Sequence, residues 1–299
     1  LAQGDAAGMA AVRIQQPSQD IQATIDCLRA LLAPGEGPSQ LYCSESGSTL
    51  RFLVPVAAAL GKEAVFTGAG RLSQRPLQEY CDILKDSGIT LDFVRPGHSL
   101  PLKVQGKLRS GRYYVPGHIS SQYITGLLLA LPLLAGKSTL QLTSPLQSAP
   151  YVDITLSLLA QFGVETVTLH SSSGGVTGWH MPGNQQYTIP QTGVDIEADY
   201  SQAAFWLVAN FMGQPLVVCG LNPDSLQGDR AIIPFLVQLS TAKGTEAVTM
   251  DVGHTPDLAP ALAVAACFTP GHTVITNAGR LRFKERRQAL GRRRGLQPQ

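Results

Sequence analysis

The sequence predicts an α/β fold built from a repeated β-α-β-α-β-β unit, and three observations lead there. Apolar, helix-like segments recur along the chain, several of them roughly 28 residues apart. Two wider gaps hold alternating, strand-like stretches, LPLKVQGKLRSGRYYVPG and VTLHSSSGGVTGWHMPG, which add a hairpin to the unit. Many of the helix-like segments end in glycine, at Gly61, Gly88, Gly163 and Gly213, where a left-handed C-cap costs least without a Cβ.

In order, the helices are expected to begin near residue 21 (IQATIDCLRALL), 49 (TLRFLVPVAAAL), 77 (LQEYCDILKDSG), 120 (SSQYITGLLLALPLL) and 151 (YVDITLSLLAQFG). They continue near 201 (SQAAFWLVANFMG), 229 (DRAIIPFLVQL), 257 (DLAPALAVAACF) and 284. A helix, a tight turn and a short strand fill such a period comfortably. With 299 residues and 44% hydrophobic content, the chain can bury cores in about two domains.

Several function classes lose their sequence support. The longest apolar run, ITGLLLALPLLAG, is shorter than the roughly 18 residues of a membrane-spanning helix. Neither GxGxxG nor GxxxxGK[ST] occurs, so the common nucleotide folds lack their phosphate loop. The five cysteines form no CxxC pair and the six histidines no HxxxH or HExxH spacing, so no metal site is expected. Scattered cysteines suit a reducing compartment, and a cytoplasmic location is expected. Net charge is +2, but residues 280–299 hold eight Lys or Arg against one acid. That basic tail has only Phe283 to stack a base, so a solvated tail is preferred to a nucleic-acid site.

The helix starts share a chemistry. Gly47, Ser48 and Thr49 open one helix with Arg51 in its first turn; Arg75 precedes Pro76; Ser120, Ser121 and Gln122 open another; Ser148 and Tyr151 flank Pro150. Each alone reads as an ordinary cap or an N1 proline. As a set, exposed helix N–H groups with arginines suit anions carrying phosphate or carboxylate. Asp257 stands at a helix start, where it reads either as a cap or as a base, and Lys284 beside Glu285 reads either as a solvated pair or as a proton-handling pair.

Seven segments, SESGSTLRF, RLSQRPL, ISSQYITGLLLALPL, SAPYVDITLSLLAQFGV, IEADYSQAAFWLVA, GHTPDLAPALAVAA and RLRFKE, resemble in order and spacing the 5-enolpyruvylshikimate-3-phosphate synthase family, from about residue 18 to Glu285. The resemblance implies an enolpyruvyl transferase-like α/β fold, an inside-out α/β barrel of two domains with the active site between them. It implies domains at 1–196 and 197–285, the second incomplete, with an atypical basic tail at 286–299. It implies transfer of the enolpyruvyl group of phosphoenolpyruvate to the 5-hydroxyl of shikimate 3-phosphate, in the shikimate pathway, with no cofactor or metal and no nucleic-acid or membrane partner, by a protein that is a monomer if complete. Glyphosate would compete with phosphoenolpyruvate.

Carried over by position, Ser120, Ser121, Gln122, Ser148, Tyr151, Asp257 and Lys284 are implied contacts to shikimate 3-phosphate. Gly47, Arg75 and Gln122 are implied contacts to phosphoenolpyruvate, with Arg51 supporting. Asp257 is implied to take the hydroxyl proton and Glu285 to handle a proton at the methylene carbon. The sequence departs from the family at both ends: no KS…R motif precedes residue 18, and Arg286, Arg287 and Gln288 replace a [ST]DR segment. A chain truncated in this way is expected to expose the apolar faces of AAFWLVANFMG and LAPALAVAACF. The alternatives are an inactive fragment that at most binds shikimate 3-phosphate, and a UDP-N-acetylglucosamine enolpyruvyl transferase. The latter family carries a reactive cysteine before its RP segment, and FTGAGRLSQRP has none.

Overall fold

The computed structural model describes residue 14 and residues 16–191, 193–242 and 247–281. The chain divides into two compact units, Leu1–Gln147 with Thr155–Val194, and Ser148–Ile154 with Asp195–Gln299.

The first unit opens with helix α1 (Gln19–Leu32), capped by the Ser18 hydroxyl, and then holds the repeated unit twice, except for residues Ser148–Ile154 of the second copy, which belong to the second unit. One copy runs β1 (Ser39–Tyr42), α2 (Gly47–Ala59), β2 (Ala64–Thr67), α3 (Glu79–Ile83), β3 (Ile89–Phe93) and β4 (Leu102–Gly106). The next runs β5 (Arg112–Pro116), α4 (Ser121–Ala130), β6 (Ser138–Ser144), α5 (Ala149–Gln161), β7 (Val167–His170) and β8 (Val176–Met181). Their sheets have the same plan, β1-β2-β4-β3 and β5-β6-β8-β7: the first two strands are parallel, and the last strand of each copy runs antiparallel between its neighbours. Among the described residues these mixed sheets stay open, and no closed barrel forms.

The first expected hairpin is corrected in one respect. LPLKVQGKLRSGRYYVPG supplies β4, which pairs with β2 and β3, and then β5, which belongs to the other sheet. The chain leaves β4 because Leu108 N–H donates to Ala58 and Arg109 N–H to Ser87, away from the strand edge. Helix ends at Gly61 and Gly163 are Schellman caps, with φ of 66° and 74° and the following amides reaching back to Ala57 and Leu159.

Helix α2 contains Pro55, which cannot donate to the carbonyl of Arg51 one turn back. The Tyr80 hydroxyl donates to that carbonyl instead, at 2.5 Å, and Tyr80 is fully buried. Gly126 of α4 lies against the same place: a Cβ there would stand 2.6 Å from the Arg51 carbonyl oxygen, 2.7 Å from the Tyr80 hydroxyl and 3.1 Å from Pro55. Helices α2 and α4 therefore approach closely at the residue whose side chain enters the candidate site.

In the second unit, α6 (Tyr200–Phe211), α7 (Ile232–Thr241) and α8 (Ala259–Cys267) surround a core of Tyr200, Val208, Ile232, Met250, Leu258 and Leu262. Its described strands, β9 (Val248–Asp251) and β10 (Thr273–Thr276), are parallel and joined by α8, as β1 and β2 are joined by α2. Large apolar side chains remain outside: Phe205 and Trp206 on α6 are 54% and 61% exposed, and Phe268 after α8 is 60% exposed. The expected helix near residue 284 lies outside the described residues.

Candidate active site

In the first unit the loop CSESGS turns sharply, with Ser44 in the left-handed region at φ 51°, and delivers the chain to α2. The buried Ser46 hydroxyl caps the helix, accepting from the Thr49 amide at 3.3 Å and from its hydroxyl at 2.7 Å. Thr24 of α1 joins through the Thr49 hydroxyl at 2.6 Å. The Gly47 and Ser48 amides, at the positive end of the helix dipole, bond to no described residue.

Two guanidinium groups converge above that end. A Cβ on Gly47 would lie 2.6 Å from Arg75 Nη1 and 3.3 Å from Arg51 Nη1. Arg51 is held in place: it donates to Gln122 Oε1 at 2.6 Å and to the Pro76 carbonyl at 3.0 Å, and lies 5.3 Å from the Tyr123 ring centroid. Tyr123 is fixed edge-on against Tyr80, 4.8 Å between centroids, and donates toward Glu79 and Pro76. Burial raises the Tyr123 phenol, with Arg51 opposing, so it remains a donor. The exposed Arg75 guanidinium makes no ion pair or hydrogen bond to a described residue, and neither arginine has a carboxylate partner there. Because Gln122 spends its carbonyl oxygen on Arg51, its NH₂ is the end left for a ligand. Gln122 and the buried Ser121 sit in the first turn of α4, capped by the Ser120 hydroxyl.

In the second unit, Ser148 is buried and left-handed at φ 55°, a cost of about 1 kcal/mol for a residue with a Cβ. It turns the chain into α5, where the Tyr151 hydroxyl faces two carboxylates, Asp229 Oδ2 at 3.1 Å and Asp257 Oδ2 at 3.4 Å. Burial, then the charges of Asp229 and Asp257, push the phenol up, which keeps its proton in place. Gly228 permits this gathering, since a Cβ there would meet Pro150 at 2.9 Å and Thr255 at 3.2 Å. Asp257 is exposed and lies within the 3₁₀ turn Pro256–Leu258 that leads into α8; Thr255 holds the cap position, so the simple N-cap reading of Asp257 is replaced.

Gly47, Arg51, Arg75 and Gln122 are thus brought together in one unit, and Ser148, Tyr151 and Asp257 lie in the other. Lys284 and Glu285 lie outside the described residues. Sequence reasoning missed Asp229, only 5% exposed, which reads as a routine first-turn acid in GDRAII. Its one sequence signal is the glycine beside it. Among the described residues no three His, Cys, Asp or Glu could hold a metal ion, and no helix is long and apolar enough to cross a membrane.

The profile of the family EPSP synthase (3-phosphoshikimate 1-carboxyvinyltransferase) matches residues 8–290. The chain belongs to the EPSP synthase family. A 3-phosphoshikimate 1-carboxyvinyltransferase of Clostridium kluyveri is 43% identical over 90% of this chain and 67% of its own length. One of Clostridium novyi is 41% identical over 81% of this chain and 57% of its own. The fold agrees with a solved EPSP synthase of Acinetobacter baumannii, with a TM-score of 0.70 at 22% identity over 93% of this chain and 70% of that one. The chain therefore spans 57% to 67% of these curated relatives' lengths. Neither the inactive-fragment reading nor the UDP-sugar reading is favoured by the names of these EPSP synthase relatives.

Proposed function

We propose that this chain takes part in transfer of the enolpyruvyl group from phosphoenolpyruvate to the 5-hydroxyl of shikimate 3-phosphate, with release of phosphate. The observation that carries the reading is the pair of guanidiniums over Gly47, at a helix start with open amides and no acid partner. Such a site is complementary to a small, multiply charged phosphate and carboxylate compound. Gly47, Arg75 and the Gln122 amide hold phosphoenolpyruvate, and Arg51 keeps Gln122 aimed. Ser120, Ser121, Gln122, Ser148, Tyr151, Asp257 and Lys284 hold shikimate 3-phosphate.

In the reaction, the 5-hydroxyl oxygen bonds to C2 of phosphoenolpyruvate as Asp257 takes its proton, and the methylene carbon gains a proton handled by Glu285. The tetrahedral intermediate then breaks its bond to phosphate and returns the methyl proton, regenerating the enol double bond. Tyr151 stays protonated throughout and orients the Asp257 carboxylate. We place the protein in the cytoplasm, a reading supported by five free cysteines.

Calorimetry with shikimate 3-phosphate, followed by phosphate release with both substrates, tests the proposal. Binding of shikimate 3-phosphate, phosphate release that needs both compounds, and loss of release in Arg75→Ala are expected. Failure to bind either compound refutes the reading; binding without release returns the inactive-fragment alternative.

A further inference from the structure

Behind the anion seat, the first unit holds a second layer of polar side chains that the reaction does not touch. Glu79, the first residue of α3, is half-buried and makes no ion pair with a described residue; its Oε2 accepts from the Tyr123 hydroxyl at 2.8 Å. Tyr123 is buried, and its hydroxyl also lies 2.9 Å from the Pro76 carbonyl oxygen. Arg51 uses that same carbonyl, from Nη2 at 3.0 Å, and its guanidinium carbon stands 5.3 Å from the Tyr123 ring centroid. From Nη1 it donates to Gln122 Oε1 at 2.6 Å. Four side chains thus run in one line, from a carboxylate to the amide whose NH₂ is left for a ligand.

We propose that Glu79 and Tyr123 are positioning residues for the phosphoenolpyruvate contact, acting through Arg51 to aim the Gln122 amide, a role that rests on the function proposed above. The phenol has one proton and two acceptors in reach. A carboxylate is the stronger acceptor, so Glu79 takes that proton and leaves the Pro76 carbonyl to Arg51. The bond to a carboxylate also enriches the phenol ring in electron density, which strengthens its attraction for the guanidinium beside it. Arg51 is fixed in this way, and Gln122 Oε1 is fixed in turn. A flip of the Gln122 amide would forfeit the Arg51 bond and turn an oxygen, which repels anions, toward the ligand. Without the Glu79 carboxylate the phenol turns to the Pro76 oxygen and shares it with Arg51. Without the Tyr123 hydroxyl the ring remains, but the carboxylate no longer acts on Arg51.

The side-chain NH₂ resonances of Gln122 in the whole, ligand-free, ¹⁵N-labelled chain, assigned with Gln122→Ala, read the aim of the amide and need no substrate. Glu79→Leu and Tyr123→Phe are expected to move this pair toward the position of exposed glutamines. Glu79→Gln, whose amide oxygen still accepts from the phenol, is expected to keep it near the parent's. In a phosphate-release assay, KM for phosphoenolpyruvate should rise about three- to tenfold in Glu79→Leu and in Tyr123→Phe, and no further in the double variant. Glu79→Gln should restore KM to within about twofold of the parent. Gln122 resonances that stay in place in both single variants overturn the proposal, even where Tm falls, as do losses that add in the double variant. Tyr123→Phe keeps the buried ring and decides the matter if Glu79→Leu does not fold. If the parent releases no phosphate, the function proposed above falls, and the Gln122 resonances still decide whether Glu79 and Tyr123 aim the amide.

Discussion

Replacing Gly47 by alanine separates the fold from the anion seat, because the two respond in opposite directions. Gly47 is the first residue of α2 with an ordinary negative φ, so alanine is accepted by the backbone. A Gly→Ala change at a compatible site stabilises by about 0.4–1 kcal/mol. The new methyl meets Arg75 Nη1 at 2.6 Å and Arg51 Nη1 at 3.3 Å. Arg75 is exposed and otherwise uncommitted among the described residues, so its tip swings away cheaply. Arg51, tied to Gln122 and Pro76, gives little. The loss is then about one charge-assisted hydrogen bond to a bound anion, about 1.5–3 kcal/mol, or roughly ten- to a hundredfold in affinity. In a phosphate-release assay, KM for phosphoenolpyruvate should rise by that factor, while KM for shikimate 3-phosphate changes less than about twofold and Tm does not fall. Should KM for phosphoenolpyruvate stay within about twofold of the parent, or should Tm drop by several degrees, the arginines do not converge over Gly47 as described.

The two arginines themselves should behave differently: Arg75→Ala raises KM for phosphoenolpyruvate with Tm unchanged, whereas Arg51→Ala also lowers Tm by unseating Gln122 and Tyr123, as read by thermal unfolding beside the kinetics. Tyr80→Phe leaves the Arg51 carbonyl without its donor and should cost about 1–3 kcal/mol in urea unfolding. Adding Pro55→Ala supplies a helix N–H to the same carbonyl, so the double variant should recover part of that loss; strict additivity would refute the substitution of one donor for the other. Glu197 is held below the ordinary carboxylate range chiefly by the Ser225 hydroxyl and then by Gln227. Its contribution is therefore present above the unfolded-state pKa and lost as pH falls through the lower folded value. Glu197→Gln should be less stable than the parent at pH 7, with the gap closing on acidification below about pH 4.

The backbone plan was legible because it repeats. Apolar segments at a fixed spacing located the helices, and glycines at their ends located caps such as Gly61 and Gly163. Where the reading joined β4 to β5, alternation alone could not tell a hairpin from two strands that belong to different sheets. Other features were illegible for the same reason, that their partners are distant. The helix TLRFLVPVAAAL is expected to run through Pro55, but what satisfies the carbonyl that this proline orphans is not legible, because the Tyr80 hydroxyl that does so lies 29 residues from Arg51. Asp229 reads as a helix-start acid until Tyr151, 78 residues earlier, is found donating to it.

One class of residue nevertheless reports long-range geometry from the sequence. Gly47, Gly126 and Gly228 have no left-handed backbone to explain them, unlike the capping glycines. Each is a place where a Cβ would strike another part of the chain: the guanidinium of Arg75, the carbonyl of Arg51, or the ring of Pro150. Glycine in a helix or its first turn costs about 0.5–1 kcal/mol relative to alanine, so its presence calls for an offsetting approach of other atoms. At Gly126 and Gly228 that approach is structural and brings Arg51 and Asp229 to their positions. At Gly47 the approaching groups are two cations, Arg51 held by Gln122 and Pro76 and Arg75 uncommitted among the described residues, and the anion proposed above would offset the cost of this glycine by lying between them.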